Sequence, residues 1–197
     1  MEAAWQLGEV TTREELSQFL RQMLTQSANS TAPFVAGVMR PNANFRYLDG
    51  LLHAMLTNPV ARRASLAQGQ ALLACVTRIF DLGSLKQLQK DIRSGPTPGH
   101  AATVFGAIYC KLEFTIEQAV SQFSFLQLRG LISAAVRLGL VGPIEGQAIQ
   151  SEVSKESKQW IETAMSIEDM DDCTQIAPAI DHFWVFHDRL YSRLFVS

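Results

Sequence analysis

His182 and His187 stand five residues apart, a spacing that puts two imidazoles on different faces of a helix. No HExxH, CxxC or mixed Cys/His cluster accompanies them, so a closed metal site built from three or four side chains is not expected. Glu168, Asp169, Asp171 and Asp172 would attract a hard cation, but the run lacks the alternating ligands and the glycine of a calcium loop. It reads instead as a solvated helix-capping turn. Serines, histidines and aspartates are present without a GxSxG elbow to single out a nucleophile. The glycines are scattered, with no GxxxxGK[ST] loop and no strand leading into GxGxxG. Neither an enzyme nor a tightly bound cofactor is expected from these residues.

Three other features carry polar or aromatic groups in telling places. His100 follows Gly99 at a helix start, where a neutral imidazole satisfies a terminal amide or titrates as a switch, and the capping role is the expected one. Arg137 sits inside the apolar run Ser133-Ala-Ala-Val-Arg-Leu138, where a buried guanidinium must find a carboxylate or several carbonyls; a structural ion pair is expected. The chain ends Arg189-Leu-Tyr-Ser-Arg-Leu-Phe-Val-Ser197, two arginines among Leu190, Tyr191, Leu194 and Phe195. Aromatic and arginine side chains at a terminus suit docking, either onto a partner or back onto the parent bundle.

These groups need a scaffold, and the composition permits one. The 197 residues are 47% hydrophobic, enough to bury a core of one domain or at most two. Seventeen basic against nineteen acidic residues lack the excess that binding to a phosphate backbone requires, which argues against nucleic acid as a partner. Cys75, Cys110 and Cys173 are widely separated, two of them within apolar helical patterns, and fit buried reduced thiols in a cytoplasmic protein. No basic-then-apolar leader opens the sequence and no run reaches the length of a membrane span, so a soluble chain is expected.

Apolar residues recur at helical spacing throughout, and alternating strand-like stretches are missing, so the fold class is all-α, a single-domain helical bundle of about ten helices. Thr12 with Glu15, Ser84 with Gln87 and Thr115 with Gln118 each match the capping box and place three helix starts. Breakers at Pro41, Pro59, the Ser94–Gly99 run, Gly139 to Pro143 and Pro178 supply the rest. The expected helices run roughly over 2–7, 13–27, 32–39, 44–57, 60–80, 84–94, 100–112, 116–138, 144–167 and 178–190. Segment 116–138 is apolar around most of its circumference and is expected at the centre of the bundle. Segment 144–167 shows one stripe, Ile149, Val153, Trp160, Ala164 and Ile167, and is expected on the outside.

Four segments, in order along the chain, carry a family resemblance. Ala64-Ser-Leu-Ala-Gln-Gly-Gln-Ala-Leu-Leu73 is similar to an S-x-x-QG-x-x-LL segment, and Gly99-His-Ala-Ala-Thr-Val-Phe-Gly106 to a GH-x-x-VFG helix start. Ile132-Ser-Ala-Ala-Val-Arg-Leu-Gly-Leu-Val-Gly-Pro143 resembles an SAA-x-RL segment and its following turn, and His187 with Tyr191-Ser-Arg-Leu-Phe195 resembles an H-x-x-x-YSRLF ending. Together they resemble the UreF family of urease accessory proteins, in a form closer to its eukaryotic members. Family members usually carry a further N-terminal segment with a GGF-x-x-S-x-GLE-like stretch, of which only Met1-Glu-Ala-Ala corresponds here. Loss of that segment is expected to expose apolar surface and to leave the chain dependent on a partner for part of its stability.

The resemblance implies an all-helical homodimer that bridges UreD (also called UreH) and the GTPase UreG on the way to apo-urease, with nickel handled indirectly through the complex. It also implies a domain spanning 1–197 whose residues 188–197 form a docking tail, with Tyr191, Ser192, Arg193, Leu194 and Phe195 as partner contacts. His100, Phe105, Arg137, Gly142 and His187 match family positions for which packing is an equally good role. Two other readings stand beside this one: a helical enzyme or weak metal carrier using His100, His182 and His187, and an interaction module without a urease role.

Overall fold

A computed structural model describes residues 1–177 together with Phe183 and Phe186. Among these residues the secondary structure is helical: α1 (Glu2–Gln6), α2 (Arg13–Ser30), α3 (Ala32–Met39), α4 (Phe45–Met55), α5 (Pro59–Ile79), α6 (Gly83–Arg93), α7 (Ala101–Lys111), α8 (Ile116–Arg137), α9 (Pro143–Ser154) and α10 (Ser157–Ser166), then a 3-10 turn at Met170–Asp172. The all-α reading holds.

Two of the three expected capping boxes are present. Thr12 accepts from the Glu15 amide while Glu15 reaches back to Thr12, and Thr115 does the same with Gln118. The third is not: α6 starts one residue earlier, with Leu82 at the cap and no side chain bonding its free amides. Asn44 and Asn58 cap α4 and α5, the latter ahead of a proline whose missing N–H costs nothing at that position. α8 ends in paired bonds from Gly139 to the Val136 carbonyl and from Leu140 to the Ala135 carbonyl, the signature of a Schellman turn.

The helices enclose three apolar clusters. One gathers α3, α4, α7, the first half of α8 and α10 around Phe34, Leu52, Phe105 and Phe123; a second joins α1, α2, the second half of α8, α9 and α10 around Leu16, Leu20, Ile132, Ile149 and Trp160. The third lies between α5, α6 and α7, around Leu73, Leu85 and Val104. α8 thus ties two clusters together, as a central helix should. It is nevertheless open on one side, where Phe125 and Leu126 are 42% and 40% exposed. The element enclosed all round is α3, whose residues from Ala32 to Val38 are all buried.

The single outer helix expected over 144–167 is two helices. Its stripe holds, with Ile149, Val153, Trp160 and Ala164 buried, but Lys155 and Glu156 break the axis through i to i−3 bonds onto Glu152 and Val153. The break lets Glu156 take the Arg21 guanidinium at 2.7 Å while Glu152 takes the same group at 3.3 Å, which pins α9 to α2 and holds Arg21 above its usual pKa. Arg40 closes the other end of α10, donating to the carbonyls of Met165, Ile167 and Glu168 at 2.9–3.1 Å. The acidic run is a capping turn as expected, with Asp169 accepting from the Asp171 amide. The cysteines depart from expectation: Cys75 and Cys110 are exposed because both fall on the outward sides of α5 and α7, and only Cys173 is half-buried, its thiol pushed up to about 11 by burial.

Candidate functional site: a buried polar node at the start of α7

α7 crosses α5 and α3 with backbone against backbone. A Cβ at Gly69 would lie 2.3 Å from the Gly99 carbonyl oxygen, and one at Gly106 would lie 2.6 Å from that of Val35. These seams bring the start of α7 between α4 and α5. Its first amides point into the protein, where they need an acceptor.

That acceptor is Asp49, fully buried on the inward side of α4. Its Oδ2 accepts from the Gly99 amide at 2.6 Å; its Oδ1 accepts from the His100 amide at 2.9 Å and from the Thr103 hydroxyl at 2.6 Å. A carboxylate at a helix N-terminus gains from both the free N–H groups and the helix dipole.

His100 occupies the cap position of α7, but its side chain makes no capping bond, contrary to expectation. The imidazole, fully buried, instead places Nδ1 3.0 Å from Ser65 Oγ and Nε2 3.1 Å from Nδ1 of His53, one turn beyond Asp49 on α4. Ser65 Oγ also accepts from the Ala101 amide at 3.3 Å. Burial pushes His100 down to about 4, which the neighbouring Asp49 charge opposes without overcoming, so the ring is neutral at neutral pH. The contact between His100 Nε2 and His53 Nδ1 is a hydrogen bond with one proton between the two nitrogens.

In chemical terms the node is closed. Both Asp49 oxygens are occupied, no nucleophile is presented to an open cleft, and among the described residues no three His, Cys, Asp or Glu side chains converge to hold a metal. What the arrangement does is fix the crossing of α4, α5 and α7. Sequence reasoning found His100 and missed Asp49, His53 and Ser65. The available signal was Asp49 and His53 at i, i+4 on one face of an amphipathic helix, with the buried Leu48 and Leu52 alongside.

Phe105 lies one turn further along α7, buried, stacked on Tyr109 with ring centroids 4.2 Å apart and edge-on to Phe123 at 5.3 Å. Arg137 is exposed and not buried as expected, and its Nε donates to the Ser133 carbonyl at 3.3 Å, one turn back on α8. Gly142 caps α9 at φ −72°, and a Cβ there would meet nothing, so the backbone does not demand glycine. These two belong to the α8–α9 turn, apart from the node.

His187, Tyr191, Ser192, Arg193, Leu194 and Phe195 lie outside the described residues. The segment leading towards them is held along α2: Thr174 donates to the Asn29 carbonyl at 2.9 Å, and the Gln26 side-chain oxygen accepts from the amides of Ile176 and Ala177 at 2.7 and 2.9 Å. Phe183 then meets Phe19, nearly two turns nearer the start of α2, with centroids 6.1 Å apart. No helix among the described residues is long and apolar enough to cross a membrane.

The UreF family profile matches residues 10–154. Over its whole length the chain is 34% identical to urease accessory protein F of Oryza sativa subsp. japonica, covering 77% of that protein, and 32% identical to urease accessory protein F of Arabidopsis thaliana, covering 83%. A bacterial relative, urease accessory protein UreF of Paenarthrobacter aurescens, is 25% identical over 96% of the chain. The relatives are named as accessory proteins and not as enzymes, in keeping with the absence of catalytic motifs from the sequence. A match spanning most of the helices described above, with end-to-end identity above thirty per cent to two plant proteins of that name, places the chain in the UreF family.

Proposed function

We propose that the chain is a urease accessory protein that works by assembly, bridging UreD (UreH) and the GTPase UreG on the way to apo-urease. The observation that carries this reading is the end-to-end similarity to relatives named urease accessory protein F. Nickel is handled through the complex and not by ligands of this chain, which acts in the cytoplasm as a homodimer.

The division of labour follows from where the polar groups are spent. His100 and Phe105 set the helix crossings around α7, Arg137 and Gly142 shape the α8–α9 turn, and residues 188–197 dock onto UreD through Tyr191, Ser192, Arg193, Leu194 and Phe195, with His187 at their root. Ahead of these residues, Thr174, Ile176 and Ala177 are tied to α2.

The test is light scattering after size-exclusion chromatography of the chain co-expressed with its cognate UreD and UreG candidates, beside a version ending at Leu190. A complex that forms with the whole chain and is lost without the last seven residues is the expected result. A folded chain that forms no complex with either protein refutes the reading.

A further inference from the structure

Charge is unevenly spread along the chain. Between Phe45 and Arg93, the span of α4 to α6, seven arginines and lysines stand against three acids, whereas the rest of the sequence holds ten against sixteen. Of those three acids, Asp49 is buried beneath α7, Asp81 takes the Lys86 ammonium at 2.6 Å and Asp91 takes the Gln87 amide at 2.8 Å. Arg78, Lys90 and Arg93 are exposed and have no ion-pair partner among the described residues. Within a chain of net charge −2, the span from α4 to α6 is therefore net positive.

The same region is grooved. α5 and α6 form a hairpin closed by Phe80 to Leu82, and between them runs a depression of about 540 Å³ lined by Ala67, Gln70, Ala71 and Ala74 of α5 and by Gln89 and Arg93 of α6. Ala67, Ala71, Ala74 and Arg78 follow one another at i+4, i+3 and i+4, so a floor of small side chains runs into a cation. At the hairpin's closed end Ile79 and Phe80 are 67% and 43% exposed. Small residues let another helix approach closely, and an apolar anchor within a cationic rim selects an amphipathic partner whose polar positions are acidic.

We propose that the α5–α6 hairpin is a docking groove for an acidic amphipathic helix of a partner protein, with the alanine floor and Ile79–Phe80 receiving its apolar stripe and Arg78, Lys90 and Arg93 pairing with its carboxylates. The hairpin shares no residue with the C-terminal segment assigned to UreD, and its test does not depend on that assignment.

The probe is a labelled designed helix of about 20 residues with leucines at i, i+3, i+4 and i+7 and glutamates between them, read by fluorescence anisotropy on the full chain. A scrambled peptide of the same composition and a lysine-for-glutamate version serve as controls. Saturable binding of the acidic helix alone is expected. Arg78→Glu, Lys90→Glu and Arg93→Glu together should weaken it roughly tenfold or more at about 0.1 M salt, and Ala71→Trp, which fills the floor, roughly fivefold.

Cys75, exposed on α5 beside Ala74, supplies a readout on the unaltered chain: its alkylation, followed by mass spectrometry, should slow severalfold when the helix is bound. No saturable binding, unchanged affinity in folded variants or unprotected Cys75 overturns the proposal. Equal affinity for the scrambled peptide overturns it too, in favour of a cationic patch that binds any polyanion.

Discussion

Replacing Asp49 by asparagine probes the node with almost no change in shape. The carboxylate accepts from two amides and a hydroxyl at 2.6–2.9 Å, with no exposure to water. Asparagine keeps one oxygen and turns an NH2 group towards either the Gly99 amide or the His100–Thr103 pair, so at least one buried donor faces another donor. An orphaned buried amide costs about 1–3 kcal/mol, and the lost charge assistance on the remaining bonds brings the total to about 3–5 kcal/mol. Thr103→Val removes one of the three donors and leaves none orphaned, which should cost only about 1 kcal/mol. With a urea slope near 2 kcal/mol per M, the midpoints should fall by roughly 1.5–2.5 M for Asp49→Asn and roughly 0.5 M for Thr103→Val. Unfolding followed by circular dichroism at two protein concentrations separates these effects from any contribution of self-association. An Asp49→Asn midpoint no lower than that of Thr103→Val would refute the claim that this carboxylate is the cap of α7.

Stability should also depend on pH through His100, whose value falls from an ordinary 6.5 to about 4 in the folded protein because burial disfavours its charged form. The unfolded chain takes up the proton first, so this contribution is constant above about 6.5, declines as pH falls towards about 4, and amounts to at most about 3 kcal/mol; His100→Gln should flatten that part of the profile. Gly69→Ala should destabilise despite alanine's higher helix propensity, because its Cβ would meet the Gly99 carbonyl at 2.3 Å, whereas Gly50→Ala, with nothing within 4 Å, should stabilise by about 0.5–1 kcal/mol in thermal unfolding. Thr115→Ala should cost about 1 kcal/mol as a lost cap, while Ser84→Ala should change the melting temperature little, because α6 begins before it.

Helix positions were legible because each is written locally: Thr12 and Thr115 carry their partners three residues on, and Asn58 precedes a proline. The break at Lys155–Glu156 was not, because no glycine or proline marks it and the Arg21 that Glu156 meets there lies far away in sequence, on α2. Arg137 was expected to be buried, and is not. It follows Ala134, Ala135 and Val136 in sequence, but on the helix it shares the exposed side with Arg129, Gly130 and Ser133. Half of the node was visible at His100. Its organising residue, Asp49, looked like one polar position on an amphipathic helix, and nothing local says that its partners lie at residues 99, 100 and 103.

The distance along the chain between Asp49 and α7 has a kinetic meaning. α2 and α8 contain their own caps and can nucleate as isolated segments, within the submicrosecond regime of helix formation. α7 has its free amides met only after a loop of some fifty residues has closed and α4 has docked. Its N-terminal turn should therefore consolidate after the rate-limiting step: Asp49→Asn should act mainly by speeding unfolding, with a φ-value near zero, whereas Thr115→Ala should slow folding. A helix capped from afar joins the bundle late, and in the reverse direction its first turn is where the bundle begins to open.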